Sequence, residues 1–341
     1  MTIYRWVTRI HAFVSLATLS SKDIQAFMDS YKAFDGDCTK SNNAYKEENI
    51  VDYYYVLNHL CALGNVEKMY IPPLMDKRFN LVENQILFER KMMSDIGLPP
   101  APEGTTITNK ENQGKKCLEI GCGRGRIALH TATATGAHVS GFNIESSQIA
   151  NARSFAARMG MSDQTDYKVA SLNDPFPYED GAFDAAYNVQ AFTYSKDYEA
   201  LFKEIARILK PGAKFSYLDW VLLDNFDANN PKHKELVHNA MPILGAVNNP
   251  YYKDIENAMK KAGLEVILSK EASEDDVTQT PLIRAEGEQF KWIEVIAKTC
   301  LPDRFKKMLD RINMHAESLF EGSEKQLFTT SYQIVCQKPT K

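Results

Sequence analysis

About one third of the way along, the chain reads Cys117-Leu118-Glu119-Ile120-Gly121-Cys122-Gly123-Arg124-Gly125-Arg126. Apolar residues before Gly121 are typical of a short buried strand, and a helical pattern begins after Gly125. Glycines at such a turn let the backbone approach a ligand that a Cβ atom would exclude. The pattern therefore predicts a site for a nucleotide-like ligand. A tight strand-to-helix turn without any ligand produces the same pattern, so the surrounding sequence decides between the two.

Strand and helix patterns alternate from Lys116 onward. We predict strands at 116–120, 137–142, 166–170, 183–188 and 213–219, with helices at 124–135, 146–159 and 197–209. A helix at 251–262 and a strand at 264–268 follow. This alternation is typical of an α/β fold in which helices cover both faces of a parallel sheet.

The core is expected to have additions at both ends. Residues 1–105 are predicted to form a helical N-terminal extension and linker, with the clearest helices at 22–31 and 79–96. The core is assigned to residues 106–270. The C-terminal segment, 271–341, is predicted to contain an amphipathic helix at 303–320 and a closing strand at 327–336.

Composition excludes several classes of protein. The 341 residues are 44% hydrophobic and 25% charged, with a formal net charge of −4, so no basic excess favours a nucleic acid partner. The six cysteines show no CxxC pair, which favours reduced thiols and a cytoplasmic protein. Charged residues interrupt the apolar segment 1–20, so it is neither a signal peptide nor a membrane span. Two interpretations stay open for it: a core helix, or a surface touching an internal membrane or a substrate entrance.

Polar residues near the strand ends narrow the range of ligands that the site could bind. Glu119 places a carboxylate where it would face a cationic methionyl group and would disfavour the pyrophosphate of a dinucleotide. Asn143 stands at the end of the second strand, where it can bind ribose hydroxyls. The later stretches Phe183-Asp184-Ala185-Ala186-Tyr187 and Leu209-Lys210-Pro211-Gly212 complete a layout that resembles class I S-adenosylmethionine-dependent methyltransferases, with a Rossmann-like fold.

Further motifs resemble the sterol methyltransferase family. They are Pro175-Phe176-Pro177, Asp219-Trp220-Val221, Asn229-Asn230-Pro231-Lys232-His233, Ala258 to Val266, and the tail from Leu327 to Pro339. The similarity spans roughly residues 45–340. It implies a C-terminal domain that caps a flat hydrophobic substrate, a sterol, and S-adenosyl-L-homocysteine as the product. The oligomeric state stays open, a homo-oligomer included.

The chain departs from that family at two motifs. An aromatic motif of the side-chain sterol methyltransferases is replaced by Cys61-Ala62-Leu63-Gly64-Asn65-Val66, and a Glu-Ala-x-x-His motif is replaced by Gln190-Ala191-Phe192-Thr193-Tyr194. Methylation of a side-chain alkene creates a carbocation, which needs aromatic faces or carboxylates nearby. Methylation beside a ring ketone instead needs a base and a donor to the oxygen. The departures therefore favour similarity to the nematode-type sterol 4-C-methyltransferases, which methylate ring A at C-4.

The resemblance implies three groups of site residues. Those expected to bind the cofactor are Glu119, Gly121, Cys122, Gly123, Gly125, Asn143, Gln148, Ser171, Leu172 and Asn188. Those expected to bind the substrate are Asp219, Trp220 and Tyr187. Those expected to be catalytic are Tyr194, His59 and Gln190, with His238 as a second candidate base. For each His, a buried structural role is the commoner alternative to a catalytic one. Tyr194 can pack beneath the cofactor, Trp220 can be core filler, and Gln190 can be satisfied by the backbone.

Three alternatives to the C-4 prediction stay open. The first is methylation of the side chain at C-24. The second is a module that binds S-adenosylmethionine or a sterol without chemistry, since the Glu and His of the family motif are absent. The third is a methyltransferase for another amphiphile, such as a phospho-base or a quinone precursor.

Overall fold

The computed structural model describes residues 18–39, 45–63, 66–103, 109–274, 278–285 and 303–340, with the single positions 295 and 299. The side chains of residues 60–63, 304, 312 and 313 are outside this description. The N-terminal apolar segment therefore lies outside the described residues up to position 17. The side chains of the departing motif at 61–65 do so too.

The chain groups into two compact units, each assembled from separate parts of the sequence. The first comprises Met1–Met69, Asp224–Asn249 and Thr280–Leu327, and the second comprises Tyr70–Leu223, Pro250–Gln279 and Phe328–Lys341. The expected boundaries near residues 105 and 270 follow the sequence continuously, and they stay a prediction about sequence segments.

The second unit contains a seven-stranded sheet. Its strands are β1 (Lys116–Ile120), β2 (His138–Asn143), β3 (Thr165–Val169), β4 (Phe183–Val189), β5 (Leu209–Leu222), β6 (Glu265–Glu271) and β7 (Phe328–Gln337). Their spatial order is β3-β2-β1-β4-β5-β7-β6. Neighbours from β3 to β5 run parallel, whereas β7 is antiparallel to both β5 and β6. The predicted parallel sheet is confirmed for β1 to β5.

The position of β7 differs from the expected C-terminal segment. The sequence predicts a closing strand at 327–336 as part of a substrate-capping segment, but the structure places that strand inside the sheet, between β5 and β6. Every residue of β7 except Gln337 is buried, as in a central strand covered on both faces. Pairing of β7 with β5 joins residues more than a hundred positions apart, which local patterns do not encode.

The described helices, in chain order, include α1 (Ser21–Ser30), α2 (Glu47–Leu63), α3 (Leu81–Asp95), α4 (Arg126–Thr135), α5 (Ser146–Arg158), α6 (Tyr198–Ile208), α7 (Pro231–Leu244), α8 (Tyr252–Lys261), α9 (Asp303–Asn313) and α10 (Ala316–Glu324). The sequence predicts one helix over 303–320, but the structure has two, α9 and α10. His315 separates them with a left-handed φ of 69°, which an α-helix does not accommodate. None of the described helices is long and apolar enough to cross a membrane.

Helices cover both faces of the sheet in the second unit. Phe88 of α3 and Ala132 of α4 belong to the core on one face. Phe202 of α6 and Met259 of α8 belong to the core on the other face. Helix α3 begins where Asn80 and Glu83 form a capping box, in which each side chain accepts from the backbone N–H of the other residue. The carboxyl ends of the parallel strands are thus held at one edge of a sheet packed on both sides.

The first unit is helical in its described part. Helices α1, α2, α7, α9 and α10 belong to it. The rings of Phe27 and Tyr53 stack with their centroids 5.7 Å apart, and the ring of Tyr31 meets Phe27 edge-on. Offset and edge-on arrangements are those that aromatic pairs prefer. An aromatic core therefore joins α1 to α2.

Candidate cofactor site

The loop after β1 contains three glycines with left-handed backbones, Gly121 (φ 75°), Gly123 (φ 49°) and Gly125 (φ 70°). A Cβ atom at Gly121 would lie 2.4 Å from Cβ of Ala191, and one at Gly125 would lie 2.8 Å from Cβ of Ala152. These two glycines therefore permit close packing of protein against protein. Because they satisfy the turn itself, they do not by themselves prove a ligand.

Gly123 is the glycine of this loop that leaves room for a Cβ atom. The nearest atom to a Cβ there would be Oε1 of Gln148 at 3.6 Å, an ordinary contact. The backbone N–H groups of Gly121 and Cys122 both donate to the carbonyl of Phe142. The thiol of Cys122 is buried, and burial raises its pKa. The loop thus offers a ligand its backbone near Gly123, and Cys122 contributes no thiolate.

Asn143 and Gln148 lie side by side beyond β2. Nδ2 of Asn143 donates to Oε1 of Gln148 at 2.7 Å, and that oxygen is the one nearest to Gly123. Glu145 begins α5 by accepting from the N–H groups of Ser147 and Gln148. The structure therefore brings three of the predicted cofactor residues together, Gly123, Asn143 and Gln148. Glu145 supplies the cap that fixes this corner.

Glu119 is buried at 2% exposure, although it carries a carboxylate. Its charge acts on neighbours: burial raises the pKa of Tyr187, and the carboxylate of Glu119 raises it further. A buried carboxylate favours a nearby cation, since removing it from water is costly. Its place near the carboxyl end of β1 suits a positively charged ligand group.

Asn188 is the last but one residue of β4 and lies beside Ile120 of β1, its partner in the sheet register. It is fully buried, and its Nδ2 donates to Oδ2 of Asp219 at 3.0 Å. Its other polar atom, Oδ1, is buried and has no hydrogen-bond partner among the described residues. Such an atom needs a donor that the protein does not supply. A hydrogen-bond acceptor is therefore left next to the start of the glycine loop.

Asp219 organises the turn that follows β4. Its Oδ2 accepts from the N–H groups of Ala191 and Phe192 at 2.9 and 2.7 Å, and its Oδ1 accepts from the N–H of Trp220. Burial raises its pKa to about 6 despite these bonds. Both oxygens are thus engaged by the protein. The expected contact of Asp219 with a substrate stays a prediction.

The predicted substrate residues Tyr187 and Trp220 lie in the core. Tyr187 is fully buried, and its hydroxyl lies 3.1 Å from Oγ1 of Thr131. The ring of Trp220 packs against Phe328 with centroids 4.4 Å apart. These surroundings are those of core side chains, the alternative that the sequence leaves open for Trp220.

The loops after β3 and β4 are tied together. Oγ of Ser171 accepts from the N–H of Asn173, and the side chain of Asn173 bridges the carbonyl of Tyr194 and the N–H of Lys196. Leu172 packs against the core. Tyr194 itself is half-buried in a short turn, Phe192–Tyr194. The structure thus gathers Ser171 and Tyr194 at the same edge of the sheet.

Gln190 clamps two distant segments. Its Oε1 accepts from the N–H of Ile71 at 3.0 Å, and its Nε2 donates to the carbonyls of Ile71 and Thr330 at 2.7 and 2.8 Å. The residue has a left-handed φ of 51°, which is strained for a residue with a Cβ. Both amide hydrogens are used by the backbone, so Gln190 has none left to donate to a substrate.

The two candidate histidines belong to the first unit. His59 is half-buried on α2, and burial lowers its pKa. His238 is exposed on α7. Burial is the usual means of tuning a catalytic base, and His238 lacks it. The role of His59 as a base stays a prediction.

Two residues near the loop are not identified as site residues by the sequence. A Cβ at Gly141 would lie 2.8 Å from Cβ of Cys122, and the ring of Tyr167 fills the space beside Gly125. Gly141 could have been noticed, because a glycine inside a strand marks a close backbone approach. Nothing in the sequence near Tyr167 indicates its contact.

The residues at this edge of the sheet fit S-adenosylmethionine. The cofactor carries a sulfonium and an ammonium group, and the site offers the buried carboxylate of Glu119 and the buried Oδ1 of Asn188. Gly123 leaves room for the backbone to approach it, and Asn143 with Gln148 supplies polar groups for ribose hydroxyls.

Comparison with known proteins agrees with this fit. Residues 118–217 match the methyltransferase domain family. A sterol 24-C-methyltransferase of Pneumocystis carinii (strain B80) is 28% identical over 257 residues, covering 67% of this chain and 66% of the relative. A botryococcene C-methyltransferase of Botryococcus braunii is 27% identical over 267 residues, covering 75% and 66%. The chain therefore spans just under two thirds of the length of these relatives.

A solved structure shares the fold. Geranyl diphosphate C-methyltransferase from Streptomyces coelicolor A3(2), solved with S-adenosyl-L-homocysteine, has a TM-score of 0.58 and 16% identity, over 80% of this chain and 90% of that one. The predicted class I fold and cofactor are thus confirmed. The chain has the fold of a class I methyltransferase, its residues fit S-adenosylmethionine, and it is similar in sequence to sterol 24-C-methyltransferases.

Proposed function

We propose that this chain is a C-methyltransferase that acts on a sterol and methylates ring A at C-4. The methyltransferase part rests on one observation above all: the buried acceptors of Glu119 and Asn188 lie where β1 and β4 end, beside the glycine loop. The sterol part rests on the similarity to a sterol 24-C-methyltransferase. The position on the sterol rests on Gln190.

The neutral charge and the hydrogen bonds of Gln190 favour methylation of ring A over methylation of the sterol side chain. An alkene that accepts a methyl group becomes a carbocation, which a carboxylate at this position would stabilise. Gln190 is neutral, and both of its amide hydrogens bind backbone carbonyls of Ile71 and Thr330. Methylation next to a ring ketone passes through an enol or enolate and needs no such anion.

The residues of this chain would then have separate roles in binding and catalysis. When bound, S-adenosylmethionine supplies an electrophilic methyl group. Glu119 and Asn188 bind its cationic groups, and Asp219 fixes the turn at Ala191 and Phe192 that closes the site. Tyr194 donates a hydrogen bond to the sterol oxygen, and a base takes the proton from the carbon that accepts the methyl group. A donor to the oxygen stabilises the enolate as charge develops on it.

Methylation at C-24 is the second candidate, because a relative that covers two thirds of the chain is a sterol 24-C-methyltransferase. A cation formed there would need other aromatic or acidic groups than Gln190. A module that binds S-adenosylmethionine but catalyses no reaction is the candidate from another functional class.

Two acceptors, one reactive in ring A and the other in the side chain, separate these candidates. A 3-keto sterol with a saturated side chain, such as cholestanone, offers the two carbons beside the ketone, C-2 and C-4, and no side-chain alkene. A 4,4-dimethyl sterol with a side-chain alkene, such as lanosterol, offers C-24 only. Each is incubated with the full chain and methyl-labelled S-adenosylmethionine, and the products are identified by mass spectrometry. We expect a 4-methyl product from cholestanone and none from lanosterol.

The opposite pattern would establish the C-24 candidate in place of C-4. No methylated product from either sterol, together with tight binding of S-adenosylmethionine, would leave the non-catalytic module. Replacement of Glu119 by Gln should weaken cofactor binding in calorimetry. The exposed Glu111→Gln substitution serves as its control and should leave the affinity unchanged.

A further inference from the structure

A second group of buried and half-buried polar side chains lies at the end of β6 and the start of β7, outside the cofactor site. It consists of Glu271, Ser273, Gln279, Thr329 and Ser331, which we call the Ser331 cluster. All five side chains belong to the second unit. Gln279, Thr329 and Ser331 have no solvent exposure, and Ser273 is 7% exposed.

The hydroxyl of Ser331 is the centre of the cluster. It donates to Oε1 of Glu271 at 2.6 Å, and it lies 2.9 Å from Oγ1 of Thr329 and 3.0 Å from Oε1 of Gln279. The N–H of Ser273 donates to Oε1 of Glu271 as well. Glu271 and Gln279 therefore converge on one hydroxyl from two different segments.

Each of these two side chains keeps one buried atom unsatisfied. Oε2 of Glu271 and Nε2 of Gln279 have no hydrogen-bond partner among the described residues. If the amide of Gln279 were turned over, its nitrogen would face Ser331 and its oxygen would be the unsatisfied atom. Either way an amide atom and a carboxyl oxygen stand beside the same hydroxyl, and buried polar atoms of this kind require a partner.

The cluster lies at the edge of the sheet where β5 ends. In the register of β5 and β7, Val221 pairs with Thr329 and Asp219 with Tyr332, so Ser331 sits level with the last residues of β5. Ligands of open α/β sheets bind outside the carboxyl ends of the parallel strands. The unsatisfied atoms are therefore at the edge where an acceptor molecule would bind.

We infer that the Ser331 cluster binds a neutral oxygen substituent, a hydroxyl or a ketone, at the polar end of an otherwise apolar acceptor molecule. The amide of Gln279 donates to that oxygen, and the carboxyl group of Glu271 exchanges a hydrogen bond with it. Burial raises the pKa of Glu271, against the bonds from Ser331, Thr329 and Ser273. An anionic ligand is disfavoured because the cluster contains no positively charged side chain.

The inference rests on the proposed function, since it adds Gln279 and Glu271 to Tyr194 as contacts of the sterol oxygen. A buried polar site discriminates strongly against an analogue that lacks the matching group. The probes are cholestanone, cholestanol and the oxygen-free hydrocarbon cholestane, delivered from cyclodextrin to the full chain saturated with S-adenosylmethionine. Binding of each is measured by equilibrium partition of the labelled compound.

We expect the wild type to bind cholestanone or cholestanol at least about tenfold more tightly than cholestane, as one or two hydrogen bonds provide. Gln279→Leu and Ser331→Ala should each reduce that preference severalfold, with cholestane binding unchanged. Thr135→Val is the matched control, because Thr135 is a buried hydroxyl residue of α4 whose Oγ1 donates to the carbonyl of Thr131, outside the cluster. It should retain the preference.

Several outcomes would overturn the inference. Equal binding of the three probes by the wild type would mean that water, and no ligand, satisfies the cluster. This comparison uses the wild type alone, so it does not require that any variant folds. A preference that survives in Gln279→Leu and Ser331→Ala, or that Thr135→Val also loses, would place the oxygen elsewhere. Methylation is measured separately from binding. If the wild type forms product but the variants keep its preference for the oxygen-containing probes, this inference alone is wrong. If the wild type prefers those probes but forms no product, the proposed catalysis alone is wrong.

Discussion

Nδ2 of Asn188 donates to Oδ2 of Asp219 at 3.0 Å, and both side chains are buried. The carboxylate can only accept a hydrogen bond when it is ionised, so it fixes which way the amide of Asn188 faces. Oδ1 of Asn188 is thereby left as a buried acceptor without a partner among the described residues. The same pair joins the end of β4 to the end of β5, and so links the turn after β4 to the cofactor site.

Loss of this acceptor should weaken cofactor binding. In Asn188→Ala, the ammonium group of S-adenosylmethionine loses a hydrogen-bond partner, and a bond to a charged group contributes about 1.5–3 kcal/mol. We expect its affinity to fall by roughly 10- to 100-fold in calorimetry. Asn112→Ala is the control, since Asn112 is equally buried but bonds the carbonyls of Pro99 and Thr135. If both variants lose affinity equally, Asn188 does not contact the cofactor.

Asp219 should make the stability of the protein depend on pH. Its pKa is raised by burial from 3.8 to about 6, so the folded state holds the proton more tightly than the unfolded chain. The stabilising effect is complete below about pH 4 and is lost as pH rises through 6, a change on the order of 3 kcal/mol. The free energy of unfolding of the wild type, minus that of Asp219→Asn, should therefore fall between pH 4 and 7.

Urea unfolding at a series of pH values measures this difference. Asp163→Asn removes an exposed carboxylate and serves as the control, for which a much smaller change is expected. A difference between wild type and Asp219→Asn that is constant from pH 4 to 7 would contradict the raised pKa.

The glycines of the loop should separate into two classes when replaced by alanine. Gly121→Ala and Gly125→Ala should lower the melting temperature strongly, because the new Cβ would overlap Ala191 or Ala152. Gly123→Ala has room for its Cβ and should cost only the strain of a left-handed φ, about 1 kcal/mol, while weakening S-adenosylmethionine binding.

Gly160→Ala isolates the backbone strain. Gly160 has a left-handed φ of 68° with nothing within 4 Å of a new Cβ, and it follows α5 away from the loop. We expect it to match Gly123→Ala in melting temperature and the wild type in cofactor affinity. An unchanged affinity in Gly123→Ala would show that the cofactor does not approach this glycine.

Gln190→Glu should destabilise the protein without creating a side-chain methyltransferase. The carboxylate cannot donate to the carbonyls of Ile71 and Thr330, so two buried hydrogen bonds become repulsive contacts. We expect a loss of about 2–4 kcal/mol in urea unfolding at pH 7, lessened at low pH where the carboxyl is protonated. The exposed Gln113→Glu substitution should change little. Equal stability of Gln190→Glu and wild type would mean that the clamp contributes nothing.

Local sequence determined the elements of the core. The strands at 116–120 and 183–189 and the helices at 126–135 and 146–158 lie within about two residues of their predicted ranges, because their burial follows a repeat that is readable over a few residues. The same holds for the glycine loop, where a turn between strand and helix requires left-handed residues at Gly121, Gly123 and Gly125.

Tertiary structure alone decided where long-range partners meet. The position of β7 beside β5, the clamp from Gln190 to Ile71 across 119 positions, and the Ser331 cluster all join residues far apart in the chain. It also decided that the hydroxyl of Tyr187 faces Thr131 in the core. A sequence records which residues are apolar and how they repeat, but a hydrogen bond between distant residues depends on how the whole sheet is assembled. The sequence therefore determined the fold and the methyl donor, and the packed sheet decided which polar groups are left to bind a ligand.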